Sequence, residues 1–183
     1  MEQRIAKLVS AVLNPYVHPL HIFAYMTLTN LVTVREAVLG VVLYSLAPLS
    51  VHIAVIVLTR ESYHIPSREL RIPILVVALV GYILSVLLIE NHYVYTLALM
   101  HIASSLALLM LTALTRVSAH VMAFAPVITF YAYLNAVPIA IALAVALLLV
   151  AWSRAKLEVH DALQISLAVA AGFSASTSVL FVH

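Results

Sequence analysis

Apolar residues in this chain fall into seven runs that are separated by short polar or charged turns. The runs cover about residues 18–34, 37–58, 72–89, 94–115, 119–134, 136–152 and 162–182. Each run is close to the roughly 17–25 residues that a helix needs to cross the hydrocarbon of a bilayer. Backbone groups in lipid must be hydrogen-bonded internally, which favours helices throughout over a barrel. The pattern predicts an all-α, polytopic transmembrane helical bundle of about seven membrane helices.

One apolar stretch, residues 119–152, is too long for a single span. Asn135 and Pro138 stand near its middle, and both residue types favour turns. We therefore expect a helical hairpin with a short first arm.

Composition agrees with a membrane protein. Hydrophobic residues make up 65% of the 183 residues and charged residues only 9%, whereas a soluble domain carries about 25% charged residues. The bilayer is thus the expected partner, and residues 1–183 are expected to form a single integral membrane domain. A homo-oligomer is compatible with this composition.

Several function classes are excluded. The chain has no cysteine, so disulfides, thiolate catalysis and cysteine-based metal sites are excluded. A formal charge of +2 without a basic tail does not indicate a nucleic-acid partner. The segment from Met1 to Lys7 is too polar for a secretory signal.

Seven spans place the turns at 59–71, 116–118 and 153–161 on the same side as the amino terminus. Eight of the nine Lys and Arg residues lie on that side, and only Arg35 falls opposite. Positive residues gather on the cytoplasmic side, so a multi-pass protein of the cell membrane with these turns in the cytoplasm is expected. Without the five Arg residues considered below as phosphate ligands, the count is three against one.

The three turns carry chemically useful side chains. They run from Thr59 to Pro73, from Thr115 to His120 and from Trp152 to Gln164, and each combines Arg with a hydroxyl or a His. Arg offers bidentate donors that match phosphate oxygens. One His can attack phosphorus while a second protonates the leaving alkoxide. The turns therefore predict a phosphate monoester site.

The third turn resembles a known signature. Ser153-Arg154, followed by five residues and His160, resembles the S-R-x-x-x-x-x-H-x-x-x-D motif of the type 2 phosphatidic acid phosphatase superfamily. Ser118-Ala119-His120 resembles the end of that family's P-S-G-H motif. Arg71-Ile72-Pro73 is similar to the end of its K-x-x-x-x-x-x-R-P motif. The resemblance extends over about residues 60 to 172. The run from Pro66 to Arg71 and the His160…Gln164 ending also resemble a short prokaryotic, mostly archaeal branch of that family.

The resemblance implies a phosphohistidine mechanism without metal or cofactor. It implies that His160 is the nucleophile and that His120 protonates the leaving lipid oxygen and then activates water. The residues implied to hold the phosphoryl oxygens are Arg154, Arg71, Arg68 and Ser118, with Arg116 close by. Catalysis of this kind rests on positioning and on electrostatic stabilisation of the transition state.

The chain also departs from the family pattern. His64 stands where the family has Lys, and Arg60 is the candidate replacement as a phosphate ligand. Ala119 replaces a glycine. Gln164 replaces the Asp that orients the nucleophile, and four residues along a helix its carbonyl can still reach the His160 ring.

The predicted substrate is a lipid phosphate or diphosphate, with a prenyl tail implied by the archaeal resemblance. One alternative is a catalytically impaired relative that binds a lipid phosphate. Another is a membrane haem or transport protein, because His52 and His101 lie inside predicted spans. Arg4, Lys7, Arg35 and Lys156 are explained as interfacial anchors.

Overall fold

The computed structural model describes residues 2–60 and 68–181, and every regular element within these ranges is helical. The helices are α1 (Glu2–Val12), α2 (His18–Leu28), α3 (Val34–Thr59), α4 (Arg68–Leu88), α5 (His92–Leu114), α6 (Ala119–Tyr133), α7 (Val137–Lys156) and α8 (Ala162–Phe181). Five of them, α3, α4, α5, α7 and α8, are long and apolar enough to cross a membrane. The predicted all-α bundle is confirmed.

The predicted span at 18–34 is wrong in its length. Helix α2 ends at Leu28 after 11 residues, which is too short to cross a bilayer. Asn30 adopts a left-handed conformation with φ 58°, and Leu31 N donates to Met26 O at 2.8 Å. This is the geometry of a Schellman helix end. Thr33 and Glu36 then form a capping box that begins α3.

Helix α1 was not predicted, because polar residues interrupt its apolar ones and no long apolar run forms. Its eleven residues bury Ala6 and Ser10, whereas Ile5, Leu8 and Val12 are exposed. The Ser153 hydroxyl at the end of α7 donates to Ala6 O at 2.8 Å. Helix α1 thus packs its small residues against α7 at the end where α7 meets its polar turn.

The hairpin expected around Asn135 is present. Asn135 has φ 56°, and Ala136 N donates to Tyr131 O at 2.9 Å, so α6 also ends in a Schellman turn. Pro138 follows in the first turn of α7, where its missing N–H costs no hydrogen bond. The first arm of the hairpin is α6. Ala123 separates its first four residues from the segment Phe124–Tyr133, and the residues of that segment are mostly buried.

Helix α3 contains a π-helical segment, Val42–Leu46, just before Pro48. The wider turn accommodates a proline that cannot donate an N–H to the preceding turn. The segment lies against Gly81 of α4, where an added Cβ would come within 2.4 Å of Leu43 O. Only glycine permits this close approach of the two helices.

Side-chain contacts distinguish two ends of the bundle. At one end the His160 ring meets Arg116 O, and α1 meets Ser153; this end is called the motif end below. At the other end the Asn91 amide donates to Leu31 O at 2.9 Å, and His92 Nε2 lies 2.8 Å from the Tyr133 hydroxyl.

Candidate active site

A cavity of about 180 Å³ opens among the helices at the motif end. Four of the sequence-predicted site residues line it: Arg71 of α4, His120 of α6, Arg154 of α7 and His160 of the following turn. These residues come from segments far apart in the chain. The fold therefore brings two imidazoles and two guanidinium groups to a single pocket.

The spacing of Arg154 and His160 follows from the way α7 ends. Glu158 has φ 55°, Val159 N donates to Arg154 O at 3.2 Å and Glu158 N donates to Ala155 O at 3.0 Å. These are the two hydrogen bonds of a Schellman motif. His160 N also points to Arg154 O, at 3.4 Å. The turn thus reverses the chain so that both side chains reach the same cavity.

The His160 ring is held in one tautomer. Its Nδ1 lies 3.1 Å from Arg116 O and 3.0 Å from Gln164 Oε1. Because a backbone carbonyl can only accept, Nδ1 carries the proton and donates. Nε2 therefore keeps its lone pair. The side chain is only 6% exposed, so its orientation is fixed by packing as well as by hydrogen bonds.

Gln164 lies in the first turn of α8, which Asp161 caps by accepting from Gln164 N at 2.8 Å. Capping uses the Asp161 carboxylate to satisfy the helix start. Asp161, the acidic residue next to His160, therefore caps α8, and the side chain that contacts the His160 ring is the neutral Gln164.

Arg154 is buried, with 4% of its surface exposed. Its Nη1 donates to Ser10 Oγ of α1 at 3.1 Å. A buried guanidinium is costly unless hydrogen bonds satisfy it, so α1 helps to hold a positive charge at the cavity wall.

The charge state of His160 is set by its surroundings. Burial lowers the pKa of His160 below its ordinary value, and the positive charges of Arg154 and Arg71 lower the pKa further. The hydrogen bonds to Gln164 and to Arg116 O act in the opposite direction. The net effect favours the neutral imidazole, which is the nucleophilic form.

Three other predicted residues lie away from the cavity lining. Ser118 is fully buried and caps α6, its hydroxyl accepting from Val121 N at 3.4 Å. Arg116 has an exposed side chain and contributes its backbone carbonyl instead. Arg60 is exposed at the end of α3, with φ 56°. The Arg68 side chain and His64 lie outside the described residues.

Sequence reasoning missed the deep part of the cavity. His52 and His101, which lie inside predicted spans, both line this cavity. His52 Nδ1 lies 2.8 Å from the Tyr16 hydroxyl, and His101 Nδ1 lies 2.9 Å from Leu97 O. The available signal was a polar stripe on α5, where His101, Ser105 and Thr112 recur at helical spacing.

Comparisons with protein-family models, with curated proteins and with solved structures give no match for this chain. The likeness to the phosphatase superfamily rests on the motif residues themselves.

Proposed function

We propose that the chain is a membrane lipid-phosphate phosphatase that works through a phosphohistidine intermediate. The observation that carries the proposal is the meeting of Arg71, His120, Arg154 and His160 in one cavity at the end of the spanning helices. An anion site with a nucleophile and a separate acid is what cleavage of a phosphate ester requires.

In the first step, His160 Nε2 attacks phosphorus, and the bond between phosphorus and the lipid oxygen breaks. His120, in its protonated form, donates its proton to the leaving oxygen, so that the lipid departs as an alcohol. The single Nδ1–H donor, shared between Gln164 Oε1 and Arg116 O, stabilises the cationic phosphoimidazole that forms.

In the second step, neutral His120 takes a proton from water, and the resulting hydroxide attacks phosphorus. The phosphorus–nitrogen bond breaks, inorganic phosphate leaves and both histidines return to their starting states. His120 thus acts first as acid and then as base, which conserves protons over the cycle.

Arg154 and Arg71 supply the electrostatic part of catalysis. Both guanidinium groups line the same cavity as the His160 ring, and in the proposed mechanism both bind the phosphoryl group that His160 attacks. Fixed positive charges in a buried site cost little reorganisation during the reaction. The same charges keep His160 neutral before the substrate arrives.

The substrate class follows from position. The cavity lies among helices long enough to span a bilayer, so an amphiphile can place its phosphate at the motif end and its tail between helices. A prenyl phosphate or diphosphate is proposed on the family resemblance. The site is proposed to face the cytoplasm, because most Lys and Arg residues lie at the motif end.

The test is phosphate release from a panel of prenyl and alkyl phosphates by the purified protein in detergent. We expect release by the wild type and none by His160→Ala. His92→Ala is the matched control, because His92 is exposed at the opposite end and its loss should leave the rate unchanged. Release that survives in His160→Ala would refute the mechanism.

The same preparation separates the alternatives. Binding of a lipid phosphate without any release would support the catalytically impaired relative. A strong visible absorbance band in the purified protein would support a haem protein.

A further inference from the structure

The cavity continues well beyond the phosphate-binding end. On α4 it is lined from Arg71 to Tyr82, and on the neighbouring α5 from Thr112 to His101. Each pair is eleven residues apart, which corresponds to about 16 Å along a helix. The lining residues of α4 and α5 therefore give the same estimate, about 16 Å, for the depth of the cavity.

Three aromatic rings close the deep end. The ring centroids of Tyr44 and Tyr82 are 4.6 Å apart, those of Tyr82 and His101 are 4.9 Å apart, and those of Tyr44 and His101 are 5.4 Å apart. Tyr44 is fixed further because its hydroxyl lies 2.8 Å from Ser85 Oγ. These three residues, the ring cluster, pack together and line the deep end of the cavity.

The section between the two ends is mostly apolar, although His52 of α3 and Ser104 and Ser105 of α5 also contribute to its lining. Leu75 and Ala78 of α4, Leu108 of α5 and Pro48 of α3 line it. A mostly apolar channel that begins at two arginines is complementary to an amphiphile whose anionic head is followed by a hydrocarbon chain.

On the basis of the function proposed above, we propose that this channel binds the tail of the substrate and that the ring cluster limits the tail length. An extended chain advances about 1.2 Å per bond, since three backbone bonds span about 3.3–3.6 Å. A depth of about 16 Å therefore accommodates a chain of about 13 bonds. Longer tails must fold back or leave the cavity between helices. The enzyme is thus selective for amphiphilic phosphates with tails of about this length.

The experiment measures kcat/KM for straight-chain alkyl phosphates of 8 to 20 carbons, at equal mole fraction in the same detergent micelles. For the wild type we expect a fall of about tenfold or more once the tail exceeds the channel, since one misfitting methylene costs that much in a shaped pocket. Tyr82→Ala removes part of the ring cluster and should move the fall to longer tails. Ala78→Leu fills the channel and should move it to shorter tails.

Two matched controls keep the cavity intact. Tyr93→Ala removes a tyrosine of α5 outside the lining, and Ala54→Leu enlarges an exposed position of α3. Both should keep the wild-type length profile. A wild-type profile that does not depend on tail length would overturn the inference, as would variants that lower all rates without moving the fall.

Failure of the proposed function is distinguishable from failure of this inference. If no alkyl or prenyl phosphate is hydrolysed, the phosphatase proposal is lost. Calorimetric titration of the same alkyl phosphates into the protein then decides the tail limit. A length limit in binding that Ala78→Leu shortens supports the channel, and binding without a length limit refutes it.

Discussion

Gln164 offers a direct test of the chemistry proposed for His160. Its Oε1 lies 3.0 Å from His160 Nδ1, and it stands in the first turn of α8. Gln164→Glu keeps the size of the side chain and replaces the amide oxygen with a carboxylate oxygen. An acidic residue is favourable in the first turn of a helix, so the variant should fold as well as the wild type.

The expected magnitude follows from the hydrogen bond. A neutral hydrogen bond contributes about 1 kcal/mol and one to a charged group about 1.5–3 kcal/mol. Gln164→Glu should therefore stabilise the protonated His160 ring by about 1–2 kcal/mol. About 1.4 kcal/mol corresponds to one pKa unit. The pKa of His160, which burial and the two arginines lower, should therefore rise by about one unit.

The sign of the pH effect is fixed by the reaction. In the proposed mechanism neutral His160 is the nucleophile, so the rate should fall as the pH drops through the pKa of His160. Raising that pKa moves the acid limb of the pH–rate profile to higher pH by about one unit. The plateau rate should rise about fivefold, because a carboxylate gives about 1 kcal/mol more stabilisation to the cationic phosphoimidazole.

The assay is phosphate release between pH 4 and 9 for the wild type, Gln164→Glu and Leu163→Glu. Leu163 is exposed beside Gln164, so Leu163→Glu adds the same charge without touching the ring. An acid limb that does not move in Gln164→Glu, or that moves equally in Leu163→Glu, would show that Gln164 does not orient His160.

Two further predictions concern α1 and the helix packing. Ser10→Ala removes the acceptor of Arg154 Nη1 and should raise KM about tenfold or more with little change in kcat, because a hydrogen bond to a charged group contributes about 1.5–3 kcal/mol. Ser10→Thr should restore the wild-type KM, and an unchanged KM in Ser10→Ala would exclude a positioning role. Gly81→Ala places a Cβ against Leu43 O and should lower the free energy of unfolding by about 1–3 kcal/mol. Thermal unfolding in detergent measures this change. An unchanged unfolding midpoint would show that α3 and α4 can move apart at Gly81 without loss of stability.

The long helices could be predicted because hydrophobic length alone indicates a membrane span. The end of α2 could not, since the apolar residues Leu31, Val32 and Val34 continue past it and the break depends on Asn30 adopting a positive φ. Helix α1 was not predicted for the opposite reason, because it has no long apolar run. A short amphipathic helix gains its stability from packing, here against Ser153, and packing partners far along the chain leave no local signal.

The candidate site was predictable where its residues lie in turns. The short spacing of Arg154 and His160 correctly predicted that they lie close together, because the hydrogen bonds that end α7 hold them there. The deep cavity was not predictable, because the height of His52 or His101 along a helix does not reveal which neighbour its ring faces. Ser118 illustrates a competing use of a polar residue, since its hydroxyl caps α6.

Gln164 also links the two leading interpretations of this protein. A carboxylate at this position would offset part of the positive charge of Arg154 and Arg71, which both act on the His160 ring. A neutral amide leaves that charge in place, so the proposed site should bind an anion more strongly while His160 is less basic. Anion binding and nucleophilic power therefore change in opposite directions at one residue. Measuring lipid-phosphate affinity and turnover together in Gln164→Glu should show weaker binding with a faster reaction, and a parallel change in both would contradict this account of the site.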